Sequence, residues 1–388
     1  MISNIIIVGG IHMKRTFSIL LAMMLLLTVL APSVVASEET IKIGLLATLT
    51  GYPLNGEHMA KGAQMAVDEI NEAGGILGKK VELDIQDVGN TTDVGINSCN
   101  LLISNKVVSI VGPHYSSTCL AIENLINAAK IPMLVGGTSP KIAKIDNDYL
   151  FRIRASDTMQ AVAAAKYLVE GLGAKNVAIL YGSDDFGTGG MEIASEHFSS
   201  VGVDWVAHPF NNEDTDVTTQ ILKCITSGCD SVMIWATEAA YPIVARQLYE
   251  LGLIVPTITN PSLAVDSCLA QLEQEWVEDW YCVTDFLTSN SEEKVQNFIK
   301  AYEAKYGTEE SVDLHCAAYY SGVKLVADAI ERAGSTDTDA IRNALMETKD
   351  FEGIIGTMNP NENGEFIHEI ILAQCNDLKV SYIKTIGE

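Results

Sequence analysis

The sequence predicts an α/β protein built on parallel sheets with helices on both faces. Three observations carry that expectation. Strand-like and helix-like segments alternate from Ile41 onward, an order that right-handed crossovers wind into a parallel sheet covered on both sides. The same alternation starts again near Met159, in a chain long enough for two domains with cores of their own. Loops rich in Gly, Ser and Thr follow two consecutive strands, at residues 112–118 and 136–140. In an open parallel sheet such loops face one crevice at the carboxyl ends of the strands.

The first 36 residues stand apart from that fold. Lys14-Arg15, the uncharged run 16–30 and Pro32-Ser33-Val34-Val35-Ala36 form a charged n-region, an apolar h-region and a small-residue cleavage site, with Met13 as an alternative start. Residues 1–36 therefore read as a signal peptide cleaved near Ala36, which places the mature protein in the periplasm or outside the cell. No later stretch is long and apolar enough to span a bilayer. The formal net charge of −25 repels phosphate backbones and anionic headgroups, which disfavours nucleic-acid and peripheral membrane roles. All eight cysteines lie beyond the signal segment, and in an oxidising compartment they permit disulfides, with Cys268–Cys282 the expected pair and Cys224–Cys229 the other short loop. There is no CxxC, HxxxH or Cys/His spacing, so neither a metal nor a cofactor is expected.

Taken in order, residues 41–46 are strand-like, and 56–71 place Met59, Ala63, Ala66, Val67 and Ile70 on one helical face before Gly74-Gly75-Ile76-Leu77-Gly78 stops the helix. A strand at 81–86 and a helix at 93–106 follow. The apolar run 107–111 then enters Gly112-Pro113-His114-Tyr115-Ser116-Ser117-Thr118, and 120–129 returns to helical spacing. That loop is an anion seat, because the first N–H groups of a helix lack internal partners and carry the positive end of its dipole. The hydroxyls of Ser116, Ser117 and Thr118 can donate to a carboxylate, or can act as ordinary helix caps. One strand later, 132–135 runs into Gly136-Gly137-Thr138-Ser139-Pro140, where glycine lets backbone approach a ligand closely. Two such loops on neighbouring strands favour a site over two caps.

The second run reads as helices at 159–172, 187–201, 217–227 and 241–251 between strands at 177–181, 203–208, 231–235 and 257–259. Its loop at 181–189 matches neither GxGxxG nor the P-loop, and Asp184-Asp185 would repel phosphate. Helices at 291–306, 314–333 and 339–347 and a strand at 369–374 close the chain.

Several motifs occur together in one order: Lys61-Gly62-Ala63-Gln64-Met65-Ala66-Val67-Asp68-Glu69-Ile70-Asn71-Glu72-Ala73-Gly74-Gly75-Ile76-Leu77-Gly78, then Val111-Gly112, the Ser116-Ser117-Thr118 loop and Gly136-Gly137-Thr138-Ser139-Pro140. On them the chain resembles, from 41 to 388, the type I periplasmic binding proteins of branched-chain amino-acid ABC uptake systems, the leucine/isoleucine/valine-binding family. The resemblance implies a two-lobed Venus-flytrap fold, each lobe a parallel sheet with helices on both faces, joined by three hinge crossovers. These fall at residues 151–157, at Val283-Thr284-Asp285 and from Gly356 to Phe366, so that lobe 1 is 37–156 plus 286–358 and lobe 2 is 157–285 plus 359–388. It also implies a small amino-acid or carboxylate ligand, with the branched-chain or aliphatic type favoured, a membrane ABC permease as partner, a monomeric binding protein and no catalysis.

Carried over residue by residue, Ser116, Gly136 and Thr138 hold the ligand's carboxylate and amine, Asp157 faces its ammonium group, and Phe186 is the aromatic of the lobe 2 wall. Tyr115 and Asn55 stand at pocket-wall positions, with Tyr52 and Trp235 as further apolar surface. One departure matters. Relatives carry a Glu for the amine just after the strand equivalent to 257–259, where this chain has Asn260-Pro261-Ser262. A charge-assisted hydrogen bond is worth roughly 1.5–3 kcal/mol, so Asp157 becomes the leading partner of the amine with Glu238 or Asp184 in reserve, or the ligand is a carboxylate or amide without an amine. A hydrolytic Ser116 is disfavoured, since it lacks a GxSxG elbow and His114 has no evident orienting acid. A ligand-sensing module for a receptor is the second reading. A transcription repressor on the same fold is disfavoured by the export signal and the absence of a basic helix-turn-helix.

Overall fold

Short apolar strands and one-sided helices sort the chain into two open sheets. The computed structural model describes residues 40–309, 311–367 and 369–386, so the expected signal peptide lies outside the described residues. The first alternation yields β1 (Ile41–Ala47), α1 (Pro53–Glu72), β2 (Val81–Asp87), α2 (Thr92–Ser104), β3 (Ser109–Val111), α3 (Ser116–Ala129), β4 (Met133–Val135) and β5 (Leu150–Arg152). These strands form a parallel sheet in the order β2-β1-β3-β4-β5. β3 and β4 are buried throughout, as a sheet covered on both faces requires.

The second alternation gives α4 (Asp157–Lys166), β6 (Asn176–Gly182), α5 (Asp185–Ser200), β7 (Asp204–Phe210), α6 (Thr218–Ser227), β8 (Ser231–Trp235), α7 (Tyr241–Glu250), β9 (Thr257–Thr259) and β10 (Trp280–Thr284). The chain then returns to the first lobe through α8 (Glu293–Tyr306), α9 (Leu314–Ala333) and α10 (Thr338–Met346), with α9 packed along α1 and against β3. A small antiparallel sheet of β11 (Phe351–Gly353), β12 (Gly356–Pro360) and β13 (Phe366–Ile367) leads back to β14 (Ile370–Asn376) and β15 (Lys379–Ile386). The second sheet runs β15-β14-β10-β9-β8-β6-β7, its last two strands in sequence being antiparallel additions. Neither β15 nor the small sheet has an apolar run to announce it: β15 is largely exposed, and both depend on pairing with strands already in place.

Two buried arginines bind the three passages between lobes. Arg152, 1% exposed, donates from Nη1 to the carbonyls of Thr138 (2.8 Å) and Ser139 (2.9 Å) and pairs through Nη2 with Glu365, beside the last passage. Arg154 makes a two-pronged bond to Asp285, Nε to Oδ2 at 2.8 Å and Nη2 to Oδ1 at 2.9 Å, at the passage after β10. Burial pulls Arg152 down to about 10, which still leaves it charged at neutral pH. Burial also weighs against the charge on Arg154, but Asp285 reverses the balance and raises it.

The Cys268–Cys282 disulfide expected from its short loop is not formed. All eight cysteines are free and buried. Loop length sets how easily two thiols meet in the unfolded chain, but not whether the fold gives them bonding geometry. Here Cys268 sits in a short helical turn, Asp266–Leu269, and Cys282 in β10, both in the apolar core. Burial pushes both thiols up and keeps them protonated.

Replacing Asp285 by Asn leaves the Arg154 guanidinium buried without its counter-charge. Urea denaturation of Asp285→Asn should show a loss of about 3–5 kcal/mol, and a paired Arg154→Met, Asp285→Leu variant should recover most of it. A single variant as stable as the wild type would remove the pair from the stability account.

Candidate functional site

Between the lobes lies a cavity whose empty space, open solvent at its mouth included, is about 460 Å³. Ser116, Gly136 and Thr138 line it from lobe 1, and Phe186, Thr237, Glu238, Pro261 and Ser262 from the strand ends of lobe 2. The lobe 1 wall follows from how β3 and β4 end. β3 turns at Gly112, whose φ of +95° and 2.4 Å Cβ approach to the Leu46 carbonyl oxygen admit only glycine. α3 then begins at Ser116, with Tyr115 as its N-cap residue and no side-chain cap bond. Ser116 is therefore not the cap. Its Oγ accepts from the Ser139 N–H at 3.2 Å, which joins the two loops and leaves the hydroxyl hydrogen for a ligand. Behind Thr138, Arg152 and the Asp157 N–H (2.8 Å) occupy its carbonyl. Gly136 has no side chain because a Cβ would come within 2.9 Å of the Tyr319 hydroxyl and 3.0 Å of His114 Nδ1.

Lobe 2 contributes the negative charge. Glu238 lines the cavity and accepts, on Oε1, from the Tyr115 hydroxyl at 2.8 Å and from Asn55 Nδ2. Oε2 takes neither bond. Burial and the Glu238 charge push the Tyr115 hydroxyl well up and Tyr52 up to about 12, so both phenols remain protonated donors. A second cross-cleft contact brings Ser117 Oγ (3.0 Å) and Lys141 Nζ (2.6 Å) to Asp185.

Of the residues expected at the site, Ser116, Gly136, Thr138, Phe186, Glu238 and Tyr115 border the cavity. Asn55, 2% exposed, stands behind that border and holds Glu238 and Ser267 instead of walling the ligand. Asp157 departs further from its expected place. It opens α4 fully buried, its carboxyl facing Thr138, Trp235 and the two arginines, and it does not border the cavity. Burial pushes it up to about 7, against the pull of those neighbours. Asn260, at the departure from the relatives' Glu, is spent inside lobe 2 on Ala236, Ser262 and Tyr241.

The cavity also draws on Arg154, Gln160, Val265, Leu314 and His315, which no local pattern in the sequence marks. Gln160 is fully buried, donates to the Ala155 carbonyl at 2.6 Å and leaves Oε1 without a partner. His315 follows Asp313, whose carboxylate caps α9 and faces the Nδ1 atoms of both His315 (3.0 Å) and His58 (2.9 Å). Those imidazoles hold Asp313 well below the usual carboxylate range despite its burial. His58, Asp313 and Cys316 present donor atoms within 4.8 Å of one another, a cluster that sequence spacing does not reveal. Asp313 is already engaged by the imidazoles and the α9 amides, and burial keeps Cys316 a thiol.

The family model described as periplasmic binding protein matches residues 40–379. The chain belongs to that family. It is 25% identical over 339 residues to Leu/Ile/Val-binding protein homolog 3 of Brucella melitensis, covering 85% of this chain and 89% of that one. A leucine-binding protein from Thermotoga maritima superposes with a TM-score of 0.83 at 25% identity, over 89% of this chain and 99% of that one. The branched-chain amino acid transporter substrate-binding protein of Streptococcus pneumoniae, solved with isoleucine, superposes at 0.81 with 27% identity, over 90% and 99%. This periplasmic binding protein therefore has the two-lobed type I fold, and, like its family, it is a binding protein and not an enzyme.

An acid whose folded pKa is raised favours the folded state below its unfolded pKa of about 4 and loses that contribution as pH rises through the folded value, at up to about 1.4 kcal/mol per unit. For Asp157 the window runs up to about 7. Asp157→Asn should therefore gain stability relative to wild type between about pH 4 and pH 8 in urea titrations. Parallel pH profiles would show that Asp157 does not carry this term.

Proposed function

We propose that this is an exported solute-binding protein that captures a small α-amino acid between its lobes and presents the closed form to a membrane ABC permease. One observation carries the reading. A donor-rich seat of Ser116, Gly136 and Thr138 on one lobe and the Glu238 carboxylate on the other border the same cavity, matching the two charges of a zwitterion. Glu238, supported by the free Oε1 of Gln160, takes the place of the Glu that relatives carry near residues 260–262, and Asp157 acts from behind Thr138. Phe186, Pro261, Val265 and Leu314 supply apolar walls. The relatives' names, which speak of leucine, isoleucine and valine, support an amino acid as the ligand class.

Closure is a hinge motion in which the ligand gains contacts available only when both lobes meet, and it shifts the population by that difference alone. Tyr115 and Asn55 on Glu238, and Ser117 and Lys141 on Asp185, bridge the two lobes and would add to the closed state. The N-terminal segment 1–36 supports export, and the family resemblance supports a permease as the partner.

Ser116→Ala and Thr138→Ala should each weaken amino-acid binding by about 1–3 kcal/mol in calorimetry with no change of fold, since each removes a donor to a buried charge. Unchanged affinity in both would move the ligand elsewhere. Glu238→Gln should weaken binding of an amino acid more than of the deaminated acid that shares its carboxylate. If wild type holds the deaminated acid as tightly as the amino acid, the ammonium assignment fails and a simple carboxylate or amide takes its place.

A further inference from the structure

The lobe 1 wall carries two polar atoms that the carboxylate and amine seats leave unused. His315 is 1% exposed at the start of α9 and borders the cavity. Its Nδ1 lies 3.0 Å from Asp313 Oδ2. A carboxylate can only accept there, so Nδ1 carries a proton, and with that one proton on the ring Nε2 is a bare acceptor. That Nε2 is buried and has no partner. The His114 ring lies against the His315 ring, centroids 4.4 Å apart, and also borders the cavity. Arg154 Nη1 stands 3.4 Å from His114 Nε2, and since guanidinium only donates, the His114 proton is on Nδ1. Burial, with His315 and Arg154 beside it, holds His114 well below the imidazole range and keeps it neutral. His114 Nδ1 is also buried without a partner.

An acceptor and a donor thus stand on adjacent rings, held by Asp313 and Arg154 and flanked by the apolar Leu314 and Val265. A hydrocarbon side chain would leave both unpaired, the costly outcome for buried polar groups. We infer that His315 Nε2 and His114 Nδ1 form a side-chain subsite for a neutral group that both donates and accepts, so that the captured amino acid carries a hydroxyl or carboxamide on a short side chain. A second carboxylate is a poor match, because it cannot donate to Nε2 and Glu238 already puts negative charge in the cavity. The inference rests on the amino-acid reading above.

The test is calorimetry of the wild-type protein with two near-isosteric pairs, threonine against valine and asparagine against leucine. The polar member of at least one pair should bind about tenfold or more tightly than its apolar partner. His315→Leu should abolish that preference and bring the apolar member level with or above the polar one. Apolar members that bind wild type as tightly as the polar ones overturn the subsite and leave the amino-acid reading intact. If none of the four binds while a deaminated acid does, the amino-acid reading falls and the subsite with it. The wild-type comparison decides the matter even if His315→Leu, which deprives Asp313 of a partner, fails to fold.

Discussion

Two guanidiniums buried within three residues of each other organise this molecule. Arg152 and Arg154 leave the same strand end, and each is anchored to a different return of the chain, Arg152 at Glu365 and Arg154 at Asp285. A buried charge is costly unless it is paired and hydrogen-bonded, so neither arginine tolerates a hinge in which those returns are out of place. The same residues reach forward to the cavity wall. Arg152 fixes the carbonyls of Thr138 and Ser139, and Arg154 sets the tautomer of His114. Hinge and cleft therefore share one set of hydrogen bonds.

The cleft follows a consistent logic: polar atoms facing it are held on one side by the protein and left open on the other. Ser116 accepts from Ser139 and keeps its own hydrogen, Glu238 uses Oε1 for Tyr115 and Asn55, Gln160 is tethered through Nε2, and His315 through Nδ1. Groups prepared in this way need little reordering when a ligand arrives, so less of the binding energy is lost to immobilising side chains. The cross-lobe contacts to Glu238 and Asp185 are partly exposed and individually small, which suits a protein that must also reopen.

The half of the site that lies on lobe 1 was legible from short patterns. A strand, a Gly and a Ser/Thr helix start occurring twice in succession pointed to Ser116, Gly136 and Thr138, and all three border the cavity. Asp157 was misplaced because its sequence position beside the crossover says nothing about which side of Thr138 the carboxyl takes. Glu238 stood out only through the absence of Glu near residue 260. His315 and Gln160 gave no signal, because what makes each useful is one unpaired atom whose neighbours come from distant parts of the chain. The expected disulfide failed for a related reason: spacing describes the unfolded chain, while bonding geometry belongs to the packed core.

By itself the sequence determined the α/β class, the two successive alternations, the Gly and Ser/Thr helix starts that line the cavity from lobe 1 and the acidic balance of the chain. These are properties of local periodicity, helix ends and composition, which the chain carries before it folds. Only the tertiary structure decided which carboxylate borders the cleft, that Ser116 is not the helix cap, how β15 and the small sheet are placed, and which nitrogen of His114 meets Arg154 and which of His315 meets Asp313. Each of these depends on a partner supplied from far along the chain, and burial makes the presence or absence of that single partner decisive.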